Sequence, residues 1–82
     1  MEPQRLKATQ VPLAIKRGGT GLYYGTSKLL KGLLVAGESP DDVIKKTPQA
    51  ISALYLASGA SYVDVRNAGL SNWIARPTYP NR

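Results

Sequence analysis

The stretch "KRGGTGLYYGTS", residues 16–27, limits what this chain can fold into more than any other. Gly18, Gly19 and Gly21 fall within four positions, Tyr23 and Tyr24 follow, and Gly25 comes next. Glycine reaches positive φ without steric cost but weakens the interior of a helix or strand. Such a run therefore marks a turn, or a place where another backbone lies close. The bulky tyrosines beside it add a second reading: a crowded seam that only glycine tolerates, capped by two rings with polar tips.

Little apolar bulk surrounds this stretch. The chain has 82 residues, 43% hydrophobic, with no Phe, one Trp (Trp73) and five Tyr. A chain of this size makes one domain at most and buries roughly 60–65% of the surface it exposes when unfolded. Cysteine and histidine are both absent. Disulfides, thiol nucleophiles, structural zinc sites and the usual general base go with them. Small chains without staples are commonly ordered by association, so an oligomer or assembly component is expected rather than a free monomer. No run reaches the roughly 20 apolar residues of a membrane span, and the N-terminus lacks an apolar block of signal-peptide type. Synthesis in a cytoplasm and a soluble chain are expected.

The net charge is +6, and +5 of it lies in residues 1–37, from Arg5, Lys7, Lys16, Arg17, Lys28 and Lys31 against Glu2. A basic arm fits an acidic partner, while a solubilising surface explains the same charges. Pro3 and Pro12 bracket a segment without strong periodicity, so residues 1–17 read as an extended anchoring arm carrying Arg5, Lys7, Lys16 and Arg17. Within it "VPLAI" has the alternation of a short edge strand. Residues 18–74 read as a small β domain that opens with the glycine loop. Residues 75–82, with Pro77 and Pro80, read as an extended tail.

Two blocks resemble one another at an offset of 22 residues, "LLVAGESPDDV" and "YLASGASYVDV", pairing Gly37 with Gly59, Ser39 with Ser61, and Asp42 with Asp64. The blocks admit two secondary structures. In the helical reading, Leu29, Leu30, Leu33 and Leu34 share a face, glycines stop the helices and serines cap new ones. In the strand reading, "DVIKKT", "ISALYLAS" and "SYVDVRN" are strands between polar turns. Pro48 pushes Thr47 to extended geometry, and Val63 and Val65 oppose Asp64 and Arg66. The second half favours strands, and residues 27–36 stay open between helix and strand. The fold class expected is mainly β.

The order of motifs resembles the GGTG repeat of bacteriophage tail-fibre and tail-collar proteins. Gly18, Gly19, Thr20 and Gly21 match its opening tetrad. Leu33, Leu34 and Val35 match its first strand with Gly37 just past it, and Val43 and Ile44 its second. Leu54 and Leu56 match the third, Gly59 and Ser61 its turn, and Trp73 the late tryptophan. The match covers about residues 16–73. The Gly-Gln dipeptide usual before the third strand is replaced by "AISA", and only one tetrad is present. The resemblance implies short strands and turns in an intertwined, fibre-like homotrimer with extended arms, carrying no chemistry. The glycines would then line a threefold axis. An assembly interface of Gly18, Gly19, Thr20, Gly21, Tyr23, Tyr24, Leu34, Leu54, Leu56 and Trp73 follows from it.

Catalytic and ligand-binding patterns are sparse. Glu38, Asp41 and Asp42 cluster after a Ser-Pro, where acids serve turns and N-caps rather than acid pairs. "KRGGTG" lacks the frame and trailing Lys-Ser or Lys-Thr of a P-loop. No catalytic, cofactor-binding or metal site is assigned and no cofactor is expected. The leading expectation is a non-enzymatic virion component, a small trimeric tail, fibre or connector protein bound to larger virion proteins after synthesis in a host cytoplasm. A head or neck minor protein is a variant of it. The rival is a basic DNA-binding protein in which "SPDDVIKK" and "PQAISALYLA" form a helix-turn-helix, although its second helix would offer the groove no Arg or Lys.

Overall fold

Residues 9–17 run as one extended stretch whose inward positions, Thr9, Val11, Leu13 and Ile15, alternate with exposed Gln10, Pro12, Ala14 and Lys16. The computed structural model describes residues 6–80. Leu13 divides the stretch between two antiparallel sheets. Strand β1 (Thr9–Pro12) joins one and β2 (Ala14–Arg17) the other, while the Leu13 N–H donates to the Ser71 carbonyl at 2.9 Å. The first sheet has the order β1-β6-β5, from β5 (Tyr62–Gly69) and β6 (Asn72–Thr78). The second has the order β2-β3-β4, from β3 (Tyr23–Thr26) and β4 (Val35–Gly37). One helix, α1 (Pro40–Ala57), packs against strands of both sheets. The fold is mainly β, as the sequence indicates.

Pairing sets which residues face the core. Val11 lies opposite Trp73 and Trp73 opposite Asn67, while Ala75 lies between Thr9 and Val65. Val11, Trp73 and Ala75 are buried and Val63 and Val65 half-buried. The outer face carries Tyr62, Asp64 and Arg66, so the expected split of valines from charges along β5 holds. In the second sheet Ile15, Gly25 and Val35 align on the inner face, with Tyr23 beside Gly37.

The helix begins where a serine, a proline and two acids coincide. Ser39 is the N-cap, extended at φ −152°, and its hydroxyl accepts from the Asp42 N–H at 3.1 Å. Pro40 is at the first helical position, where its missing N–H costs nothing. The Asp42 carboxylate accepts from the Glu38 N–H at 3.0 Å and pairs with Lys46 at 3.1 Å. The Glu38 backbone bond, then Lys46, holds its pKa below the usual 3.8. At the far end the Gly59 N–H bonds the Leu56 carbonyl and the Ala60 N–H bonds the Tyr55 carbonyl, each at 3.1 Å. Gly59, at φ +106°, makes this Schellman closure possible.

Several strand expectations fail here. Val43 and Ile44, expected in a second strand, and Leu54 and Leu56, expected in a third, all lie on α1. Pro48 does not break the helix or hold Thr47 extended. The Thr47 hydroxyl donates to the Val43 carbonyl at 2.7 Å, and Val43, Thr47, Ile51 and Tyr55 form a fully buried row at i, i+4 spacing. Burial of that row outweighs the local cost of proline. The same continuity removes the helix-turn-helix: 40–57 is a single helix, and 27–34 holds no helix or strand. The two similar blocks are structurally unlike. Gly37 ends a strand and Gly59 ends a helix, while Asp42 is helical and Asp64 extended.

The expected arms are largely built in. Of residues 1–17, the segment 9–17 forms β1 and β2 with Val11 and Leu13 buried, and of 75–82, residues 75–78 belong to β6. Two tyrosines hold the backbone ahead of β1. The Tyr55 hydroxyl donates to the Lys7 carbonyl and the Tyr79 hydroxyl to the Leu6 carbonyl, both at 2.7 Å, and Ser58 Oγ joins Tyr79 at 3.0 Å.

Glycine is required where the helix meets the second sheet. A Cβ on Gly25 would stand 2.8 Å from Val43 Cγ1 and 3.0 Å from Leu13 Cδ1. One on Gly37 would stand 2.8 Å from Asp42 Oδ2 and 3.0 Å from the Val43 nitrogen. Overpacking of this kind costs about 1–3 kcal/mol. Gly25→Ala and Gly37→Ala should each lower stability in urea by that amount, while Gly19→Ala, whose Cβ meets nothing within 4 Å, stays within about 0.5 kcal/mol of the parent.

A second measurement concerns alkali. Burial, then the neighbouring Tyr79, raises the Tyr55 phenol above its usual 10.0. A raised folded value means that Tyr55 stabilises fully below pH 10 and that this contribution is lost as pH climbs through the folded value. Tyr55→Phe should cost about 0.5–1.5 kcal/mol at neutral pH by leaving the Lys7 carbonyl without this donor. Its alkaline melting curve should be flatter than the parent's.

Candidate functional site

The two sheets present four edges, and three carry features that block further pairing. Strand β1 ends in Pro12, β2 carries Lys16 and Arg17, and β4 is three residues long. Proline, charge and brevity are the devices by which natural sheets protect an edge. Strand β5 differs. It spans eight residues, contains neither proline nor lysine, and lies at the outside of its sheet. Its two charges, Asp64 and Arg66, neutralise each other in an exposed ion pair at 3.0 Å.

A groove runs beside that edge. Pro48, Gln49, Ser52, Ala53 and Leu56 of α1 form one wall and residues 62–65 of β5 the other, enclosing an open volume of about 440 Å³. Leu56 is 50% exposed and Tyr62 63% exposed, two of the few large hydrophobic side chains left in solvent. Leu56 faces the groove because the helix row 43, 47, 51, 55 turns inward, leaving the row 48, 49, 52, 56 turned toward β5, while Tyr62 borders the groove from the outer face of the strand. An apolar groove beside a bare strand edge can take up an extended polypeptide, with backbone hydrogen bonds along the strand and apolar contacts along the wall.

A smaller cleft of about 240 Å³ is lined by Gln10, Pro12, Ala68, Asn72 and Trp73. The Trp73 indole N–H is buried without an acceptor among the described residues, a state that costs about 1–3 kcal/mol. Nearby, the β5–β6 hairpin ends in Leu70, 90% exposed at φ +48°. Among the described residues, no three carboxylate, histidine or cysteine side chains gather where they could hold a metal ion. No helix among them is long and apolar enough to cross a membrane.

The residues expected to form one interface are dispersed. Gly18, Gly19, Thr20 and Gly21 form the loop of the β2–β3 hairpin, with the Gly18 N–H bonded to the Leu22 carbonyl at 2.7 Å and Gly21 at φ +85°. Crowding at this loop arises within the chain: a Cβ on Gly18 would strike the Tyr24 ring. Tyr23 faces the core and Tyr24 the opposite face of β3. Leu34 is exposed ahead of β4, Leu54 is half-buried on α1, and Trp73 is buried in β6. Only Leu56 of that set reaches the groove. Of the expected anchors, Lys16 and Arg17 sit on β2, Lys7 lies just before β1, and Arg5 falls outside the described residues. Val63 and Val65, which line the groove, were not among the residues expected at an interface. Their alternation marked a strand, but nothing local marks that strand as an edge.

Comparison with protein-family models, with curated proteins and with solved structures gives no match.

Leu56 and Leu54 separate groove from core. Leu56→Lys should leave the unfolding free energy of dilute protein within about 0.5 kcal/mol of the parent, whereas Leu54→Ala, which removes contacts with the buried cluster, should cost about 1–3 kcal/mol in the same urea titration.

Proposed function

We propose that this chain is a non-enzymatic assembly protein, a small structural component that joins other polypeptides through the groove between α1 and β5. The observation that carries this reading is the bare eight-residue edge of β5 beside exposed Leu56 and Tyr62, when the other three edges are blocked or short. A chain with no histidine or cysteine and a net charge of +6 is better furnished for binding than for acid–base or nucleophilic chemistry.

The setting we favour is a virion, in a tail, fibre, connector or neck position, after synthesis in a host cytoplasm. The sequence resemblance described above supports it. The tetrad 18–21 lends no support to a threefold seam, because it closes a hairpin within one chain, so the trimeric fibre rests on resemblance alone. Nucleic-acid binding has the net charge in its favour. Against it, α1 carries only Lys45 and Lys46, and Lys46 is paired with Asp42.

Mass spectrometry of particles purified from the organism that encodes the chain tests this reading. Recovery in fixed stoichiometry with the major particle proteins is expected. Consistent absence from the particles overturns the virion assignment. Salt-sensitive retardation of duplex DNA by the pure chain, without association with any protein, overturns the assembly reading itself.

A further inference from the structure

We infer that β5 is a self-association strand: two copies of this chain pair their β5 edges antiparallel about a twofold axis at Val65, merging two β1-β6-β5 sheets into one of six strands. The inference rests on the assembly reading above and names the partner at the same groove.

Charge order along β5 selects the partner and the register. With Val65 opposite Val65 of the second copy, Asp64 stands opposite Arg66 of the second copy and Arg66 opposite its Asp64. Centring the pair on Asp64 or on Arg66 instead places like charges face to face, which disfavours pairing. Only the Val65 register satisfies both charges twice. Asp64 and Arg66 already lie on one face of the strand, 3.0 Å apart at their closest atoms, so the twofold yields an alternating group of four charges. Val63 then meets Asn67. The pairing stops there because the register shift between Asn67 and Gly69 breaks the regular strand.

The same operation brings the groove into the contact. A twofold perpendicular to the sheet leaves both α1 helices on one side of it, so the apolar walls with Leu56 flank the new strand pair from each copy. The contact is isologous and closes on itself, consistent with an edge left unguarded in one place only.

The chain has no cysteine, so single introduced thiols give an unambiguous readout. In antiparallel pairs directly opposite Cα atoms lie about 4.5–5.5 Å apart, within disulfide range. Val65→Cys should therefore cross-link to its copy under mild oxidation. Val63→Cys, about 13 Å from its copy in this register, should not. Sedimentation equilibrium across a micromolar to millimolar series supplies the second arm. Asp64→Arg and Arg66→Asp should each weaken dimerisation roughly ten-fold or more, with unchanged circular dichroism, and the double reversal should restore it. A chain that stays monomeric throughout overturns the inference and leaves the virion assignment to the particle measurement. A trimeric mass, equal cross-linking at positions 63 and 65, or single reversals that dimerise like the parent also overturn it.

Discussion

Everything in this fold depends on how closely the first turn of α1 approaches the second sheet. Val43 rests on Gly25 and Gly37, two inward-facing positions at which even a methyl group would collide. That contact fixes the height of the helix over the sheet. From it the row Thr47, Ile51 and Tyr55 continues the buried face of the helix, and Tyr55 reaches back to the Lys7 carbonyl. The cap formed by Ser39 and Asp42 stands at the same place, so hydrogen bonding and packing specify one helix start. Glycine here serves intrachain packing.

The exposed character of β5 follows from pairing at the other side of its sheet. Strand β6 is the central strand and takes β1 as its second neighbour, which leaves β5 outermost. Had β1 been a free arm, β6 would itself have been an edge and the groove would have no preferred strand. The inward row of α1 also leaves Ser52 and Leu56 on the side that meets β5, so the groove is a by-product of the packing that forms the core. A groove of this kind requires no strained backbone or buried charge.

Parts of this were legible in the sequence. The alternation of Val63 and Val65 with Asp64 and Arg66 marked β5, and the glycine run marked a turn, though not the hairpin that the turn closes. Ser39, Pro40 and Asp42 carried the signature of a helix start, and Gly59 that of a stop. The helix between them was misread because Pro48 and the β-branched Val43, Ile44 and Thr47 favour strands locally, whereas the four-residue spacing of 43, 47, 51 and 55 decides the outcome through burial. Residues 9–17 looked like an arm because their partners lie far along the chain: Val11 needs Trp73, and Thr9 needs Ala75. Edge status depends on sheet order, which distant pairing sets, so the groove could not be read from nearby residues.

That distant pairing also orders events during synthesis. Strand β1 is made early but has its partner only once β6 has left the ribosome, whereas the β2–β3 hairpin, β4 and α1 draw on neighbours in sequence. At elongation rates of about 5–20 residues per second, several seconds separate the two. During that interval Val11 lacks its partner strand, and the nascent chain depends on α1 and the second sheet for whatever order it has.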